Sequence, residues 1–138
     1  MDQPADAGDR PANHCFVCGP SNPGGLGVRF RIEDDVCIGE FTPGPNQRGY
    51  DTLTHGGIMF SLLDDVMANY LWLQGVKCFT ARAEIRYREH LPIGTPVRLE
   101  GRCVKRRGRL AQMEGKIVRV DNDVVVAEAS GAFMIPAD

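Results

Sequence analysis

No run of apolar residues in this 138-residue chain reaches the roughly 18 that a bilayer-crossing helix needs. The opening stretch, MDQPADAGDRPAN, lacks the basic-then-apolar profile of a secretory leader. Neither sign of charge dominates. A formal net charge of -2 gives no global pull toward nucleic acid or an anionic membrane, so any polyanionic ligand must be met by a local basic patch. Cysteine is scarce and odd in number: Cys15, Cys18, Cys37, Cys78 and Cys103 do not make a disulfide framework. These absences lead to the expectation of a cytoplasmic protein with reduced thiols. Internal repeats and low-complexity tracts are also missing. What remains is 43% apolar and 25% charged, the balance of one ordinary globular domain with a core of its own.

Residues 1–13, rich in Asp, Ala, Pro and Gly, are expected to form a flexible lead-in to a domain spanning residues 14–138. HCFVCGPSNPGG is punctuated too often to hold more than a short turn or helical segment. From Leu26 the pattern alternates, with Leu26, Val28, Phe30 and Ile32 opposing Gly27, Arg29, Arg31 and Glu33. That predicts a strand with one wet face, followed through Asp34-Asp35 by a second at Val36–Phe41. TPGPNQRGYDTLTHGG is a long loop, and such loops in compact domains are commonly functional. Alternation returns at Phe79–Tyr87, at Val97–Arg102, from Leu110 to Val120 and from Val124 to Ile135, with KRRGR read as a tight turn. Two strands, one helix and four more strands predict an α+β fold, a curved antiparallel sheet wrapped around a single helix.

Twelve of the seventeen residues from Gly57 to Leu73 are apolar, so this helix requires cover on several sides. Two acids nevertheless lie at its centre. Ser61, Asp65 and Asn69 recur at i, i+4 and i+8, which predicts a polar stripe with Asp65 on the wetter seam. Asp64 points about 100° away, among apolar directions. It either pairs with a neighbouring group or serves as a catalytic carboxylate in a cleft. The HGG that opens the helix adds free N–H groups with no Cβ to block an approaching oxygen. A helix start and a carboxylate two turns in suggest an oxyanion hole with its base or nucleophile.

Four stretches, HCFVCGPSNPGGLGV, THGGIMFSLLDDVM, FTARAEIRYREHLPIGTPV and ASGAFMIP, occur in this order from Asn13 to Pro136. Together they resemble the hotdog-fold acyl-CoA thioesterases, with the likeness closest to the phenylacetyl-CoA-thioesterase-like branch. The resemblance implies a hotdog fold of about six strands, a homodimer or homotetramer, and active sites at the subunit interface. It implies that the Gly56 N–H, with Gly57, polarises the thioester carbonyl. It places the catalytic acid at Asp64, an assisting hydroxyl at Thr80 and a loop-shaping histidine at His55. Thr80 also reads as an ordinary strand hydroxyl. Some members carry an Asn or Gln six residues before the histidine. Here Gly49 stands there, so that contact is either absent or supplied by Asn46 or Gln47 from a shifted loop.

His14, Cys15 and Cys18 have tempting metal spacing, but no second Cys/His pair follows, so the segment is read as packing and no metal or other cofactor is expected. Lys105, Arg106, Arg107 and Arg109 form either a solvated hairpin or a docking patch for coenzyme A phosphates. The expected activity is hydrolysis of an acyl-CoA thioester to an acid and free coenzyme A, without nucleic acid or membrane partners. Asp64 activates water or attacks the carbonyl itself; the residues leave both open. A non-catalytic acyl-CoA-binding subunit and a dehydratase or hydratase are the alternatives.

Overall fold

The computed structural model describes residues 12–137. Residues 1–11, most of the expected lead-in, lie outside the described residues. Asn13 at its end is buried, and its carbonyl accepts the Ser21 N–H at 2.9 Å.

Six strands form one antiparallel sheet: β1 (Phe30–Glu33), β2 (Val36–Phe41), β3 (Phe79–Tyr87), β4 (Val97–Arg107), β5 (Leu110–Arg119) and β6 (Val125–Met134). Their spatial order is β1-β2-β4-β5-β6-β3. The β1–β2 hairpin turns on Asp34 and Asp35, both left-handed with φ of 50° and 64°. Consecutive left-handed residues match the twist of the strands they join. The helix α1 (Gly56–Trp72) leaves from the β2 side and returns the chain to β3 at the opposite edge. Its end is marked by Gly75, whose φ of 84° lets the Val76 N–H reach back to the Leu71 carbonyl at 3.0 Å. This is the expected α+β hotdog arrangement. No helix among the described residues is long and apolar enough to cross a membrane.

Two boundaries differ from expectation. The strand expected from Leu26 joins the sheet only at Phe30. Before that, the Leu26 and Val28 N–H groups bond the Phe16 and Val17 carbonyls at 2.8 and 2.9 Å, so this stretch pairs with the N-terminal segment. KRRGR is largely strand: Lys105, Arg106 and Arg107 belong to β4, and the turn is made at Gly108 with φ 60°.

The core lies between the helix and the inner face of the sheet. Leu62, Leu63, Val66 and Met67 meet Leu99, Met113, Ile117 and Phe133, all fully buried. Helix and sheet approach closely because one row across the sheet carries small side chains: Cys37, Gly101, Gly115 and Ala129 are register neighbours. A Cβ on Gly101 would lie 2.5 Å from the Val66 carbonyl oxygen, so the helix backbone itself rests there.

Candidate active site

The first turn of α1 is built around His55. Its backbone is extended, φ -61° and ψ 133°, and its Nδ1 accepts the Gly57 N–H at 2.9 Å, capping the helix. The His55 carbonyl accepts the Ile58 and Met59 N–H groups at 3.0 and 3.2 Å. Among the described residues, the Gly56 N–H is left without an acceptor. The expectation that Gly57 helps hold an oxyanion is therefore corrected, because its N–H is already taken by the imidazole. His55 thus holds this turn through both its imidazole and its carbonyl.

The loop before the helix holds His55 from behind. The His55 N–H donates to the Gln47 carbonyl at 2.8 Å, and a Cβ on Gly49 would lie 3.2 Å from His55 Cα. From the other side Tyr87, the last residue of β3, donates its hydroxyl to the Gly56 carbonyl at 2.7 Å. Around this helix start opens a cleft of about 850 Å³, lined among others by Arg48, Tyr50, His55, Gly56, Tyr87 and His90. A free N–H at a helix N-terminus, facing a cleft, suits a carbonyl oxygen acquiring negative charge.

Asn46 and Gln47 do not line the cleft. Gln47 turns its Oε1 back onto the Gly44 N–H at 2.7 Å, closing the short helical turn Pro45–Gln47. Its side chain therefore serves the loop. Residue spacing did not single out Tyr87, Arg48 or His90. Tyr87 shares the alternating face of Phe79 and Ile85, so its pattern is that of a packing residue, and only the fold brings its hydroxyl to the helix start.

Asp64 is partly buried and accepts the Thr80 hydroxyl at 2.6 Å, so the two residues implied by the resemblance are in contact. They lie apart from the cleft. Asp64 lies eight positions beyond Gly56, which is about 12 Å along the helix axis. Thr80 lies near the start of β3, a largely exposed strand whose free edge ends the sheet.

Asp65 departs from expectation. It does not lie on a wet seam, because the N-terminal segment covers it. The Cys15 thiol donates to its Oδ1 at 3.5 Å, and the Asn69 amide donates to its Oδ2 at 3.0 Å. Burial, followed by the negative charge of Cys15, pushes the Asp65 carboxyl up to about 7. The stripe Ser61, Asp65, Asn69 exists, but its covered end is as dry as the core: Asn69 is 3% exposed.

Lys105, Arg106, Arg107 and Arg109 are exposed on the β4–β5 hairpin. Register places Arg106 in one row with Ala111, Phe133 and Thr80. The hairpin thus belongs to the Thr80 end of the sheet. The cleft lies at the other end, beside Tyr87.

Residues 52–127, more than half of the chain, match the family model described as Thioesterase superfamily. The mouse protein named acyl-coenzyme A thioesterase THEM5 is 28% identical over 99 residues, which is 72% of this chain and 39% of that protein. The chain thus spans well under half the length of this curated relative. Among solved structures, the thioesterase superfamily protein RHA08564 superposes with a TM-score of 0.81 at 28% identity, covering 88% of this chain and 60% of that one. A Streptococcus pneumoniae thioesterase protein crystallised with coenzyme A has a TM-score of 0.74 at 17% identity, covering 80% and 90%; this likeness is one of fold. The family match embraces the capped helix start, the Asp64–Thr80 pair, the whole of β3, β4 and β5 and the beginning of β6, and by it this chain belongs to the thioesterase superfamily.

Proposed function

We propose that this chain hydrolyses acyl-CoA thioesters, and that its active site is completed by a second copy of itself. The observation that carries this reading is the Gly56 N–H, which has no acceptor among the described residues at a capped helix start facing a cleft. The name of the mouse relative and the coenzyme A in the S. pneumoniae structure support the substrate class.

In the reaction, the thioester carbonyl oxygen sits on the Gly56 N–H, where charge developing on it meets a fixed donor. Water adds to the carbonyl carbon, the C–S bond breaks, and the products are a carboxylic acid and the thiol of coenzyme A. Asp64 either takes the proton from that water or forms an acyl anhydride that water then opens. The Thr80 hydroxyl, donating to Asp64 Oδ1, fixes the carboxylate and leaves Oδ2 for the chemistry.

One helix cannot present both groups to a single carbonyl, since reacting atoms must come within about 3–3.5 Å and the axial separation is about 12 Å. Two antiparallel copies joined along their β3 edges solve this. Gly56 of one protomer then faces Asp64 of the partner subunit, and the reverse holds at a second, equivalent site. Exposed Phe79 and Tyr87 at the two ends of β3 suit such a joint.

Free-thiol release from a panel of aliphatic and aromatic acyl-CoAs tests the activity. Turnover of at least one acyl-CoA is expected. Tight binding of the panel without thiol release from any member would make the protein an acyl-CoA-binding subunit instead.

A further inference from the structure

The HCFVCG motif has no part in the thioester reading, yet its two cysteines are carefully placed. The Gly19 N–H donates to the Cys15 carbonyl at 2.9 Å, closing a tight turn. A Cβ on Gly19 would fall 2.3 Å from the Cys15 nitrogen, so only glycine fits behind the second cysteine. Such a turn gathers two sulfurs on one side.

Facing the turn is Asp65 of the helix. The two sulfurs and one carboxylate oxygen all lie within 4.8 Å of one another, and all three residues are partly buried. Asn69, one helical turn further, has its Nδ2 3.0 Å from Asp65 Oδ2 and 3.8 Å from Cys18 Sγ. Its Oδ1 is buried without a hydrogen-bond partner among the described residues. Half a revolution of the amide gives up the 2.9 Å bond from its Nδ2 to the Asp65 backbone carbonyl and exchanges its two ends, bringing the oxygen toward the sulfur and the carboxylate. Between anions alone that orientation is repulsive. With a cation among them it is attractive.

The structure assigns this cluster as a site for a thiophilic divalent cation, zinc above all, held by Cys15 Sγ, Cys18 Sγ and an Asp65 oxygen, with Asn69 Oδ1 completing four ligands. The sequence carries no second Cys/His pair, and none is needed, because the helix supplies the other half of the set across the fold. Two thiolates select zinc over magnesium or calcium, and four ligands suit its tetrahedral habit. Binding releases the protons that the thiols and the carboxyl still hold. The electrostatics agree: Cys18 and the turn's N–H groups bring the Cys15 thiol down to about 5, while its hydrogen bond to Cys15 and burial push Cys18 up. Three acidic groups packed together cannot all ionise until a cation joins them. The ion would clasp the N-terminal segment to the helix one residue from Asp64, without touching substrate.

Metal-stripped full-length protein, titrated with Co²⁺ as a spectroscopic stand-in for zinc, tests this. A thiolate-to-cobalt charge-transfer band should saturate at about one equivalent per chain. Zinc should bleach it. Cys15→Ser and Cys18→Ser should abolish the band, and Asp65→Asn should weaken cobalt binding at least about tenfold. Added zinc should raise the melting temperature of the wild type but not of Cys18→Ser, a comparison made within each protein and so independent of its own stability. Absence of the band, an unaltered titration in Asp65→Asn, or a thiol count showing Cys15 joined to Cys18 would overturn the assignment. None of these readings involves hydrolysis, so this inference and the thioester reading stand or fall separately.

Discussion

At the scale of single residues, the pairing of Thr80 with Asp64 ties a strand hydroxyl to a helix carboxylate at 2.6 Å. If Asp64 is the base or nucleophile, Asp64→Asn should cut kcat by about 10²–10⁴-fold with the fold and oligomer size unchanged. Thr80→Val, which removes one hydrogen bond to a charged group, should cost about tenfold in kcat with little change in KM. Steady-state kinetics on both variants, with circular dichroism to check folding, reads this out. Wild-type turnover in Asp64→Asn would remove the residue from the chemistry. Helical spacing alone separated Asp64 from the Ser61–Asp65–Asn69 stripe, and it did so correctly as geometry. It misjudged which direction was wet, because the segment covering Asp65 comes from residues 12–28, whose turns carry no periodic signal. Gly57 shows the same limit: glycine at a helix start reads as a free donor until the preceding imidazole is seen to claim it.

At the scale of elements, the helix rests on a sheet row kept small by Gly101 and Gly115. Gly101→Ala forces a Cβ to 2.5 Å from the Val66 carbonyl oxygen, so helix and sheet must separate. The expected loss is about 1–3 kcal/mol in urea unfolding. Gly44→Ala, where the added carbon meets nothing closer than 3.6 Å, should be near neutral. Equal stability of the two variants would contradict the close packing. The basic β4–β5 hairpin makes a different prediction. If Lys105, Arg106 and Arg107 hold coenzyme A phosphates, changing all three to Gln should raise KM for acyl-CoA and leave kcat nearly intact. Short thioesters without the nucleotide should be hydrolysed equally by both proteins. An unchanged KM would leave the hairpin as solvated surface. Strand alternation made most of these elements legible, since each has one face on the helix. The early strand was overdrawn because Leu26 and Val28 alternate equally well when they pair with Phe16 and Val17, outside the sheet.

At the scale of the whole molecule, a single chain holds Gly56 and Asp64, the two halves of the proposed site, about 12 Å apart on one helix. It also carries an open edge at β3, seven of whose nine residues are exposed. The order of elements was readable from the sequence, but the placing of β3 beside β6 was not, because that contact is between strands distant in the chain. A dimer across this edge makes each site depend on both copies, and two inactive variants can test that dependence. Gly56→Pro deletes the N–H donor at the first helical position, where proline is tolerated and where the preceding His55 is already extended. Gly56→Pro and Asp64→Asn should each be nearly inactive alone. Co-expressed in equal amounts and purified as a mixture, they should recover about a quarter of wild-type activity, because half of the dimers are mixed and each mixed dimer has one intact site. Recovery near that level is the result expected from a site shared between copies; a mixture of proven heterodimers as inactive as its parents would contradict it.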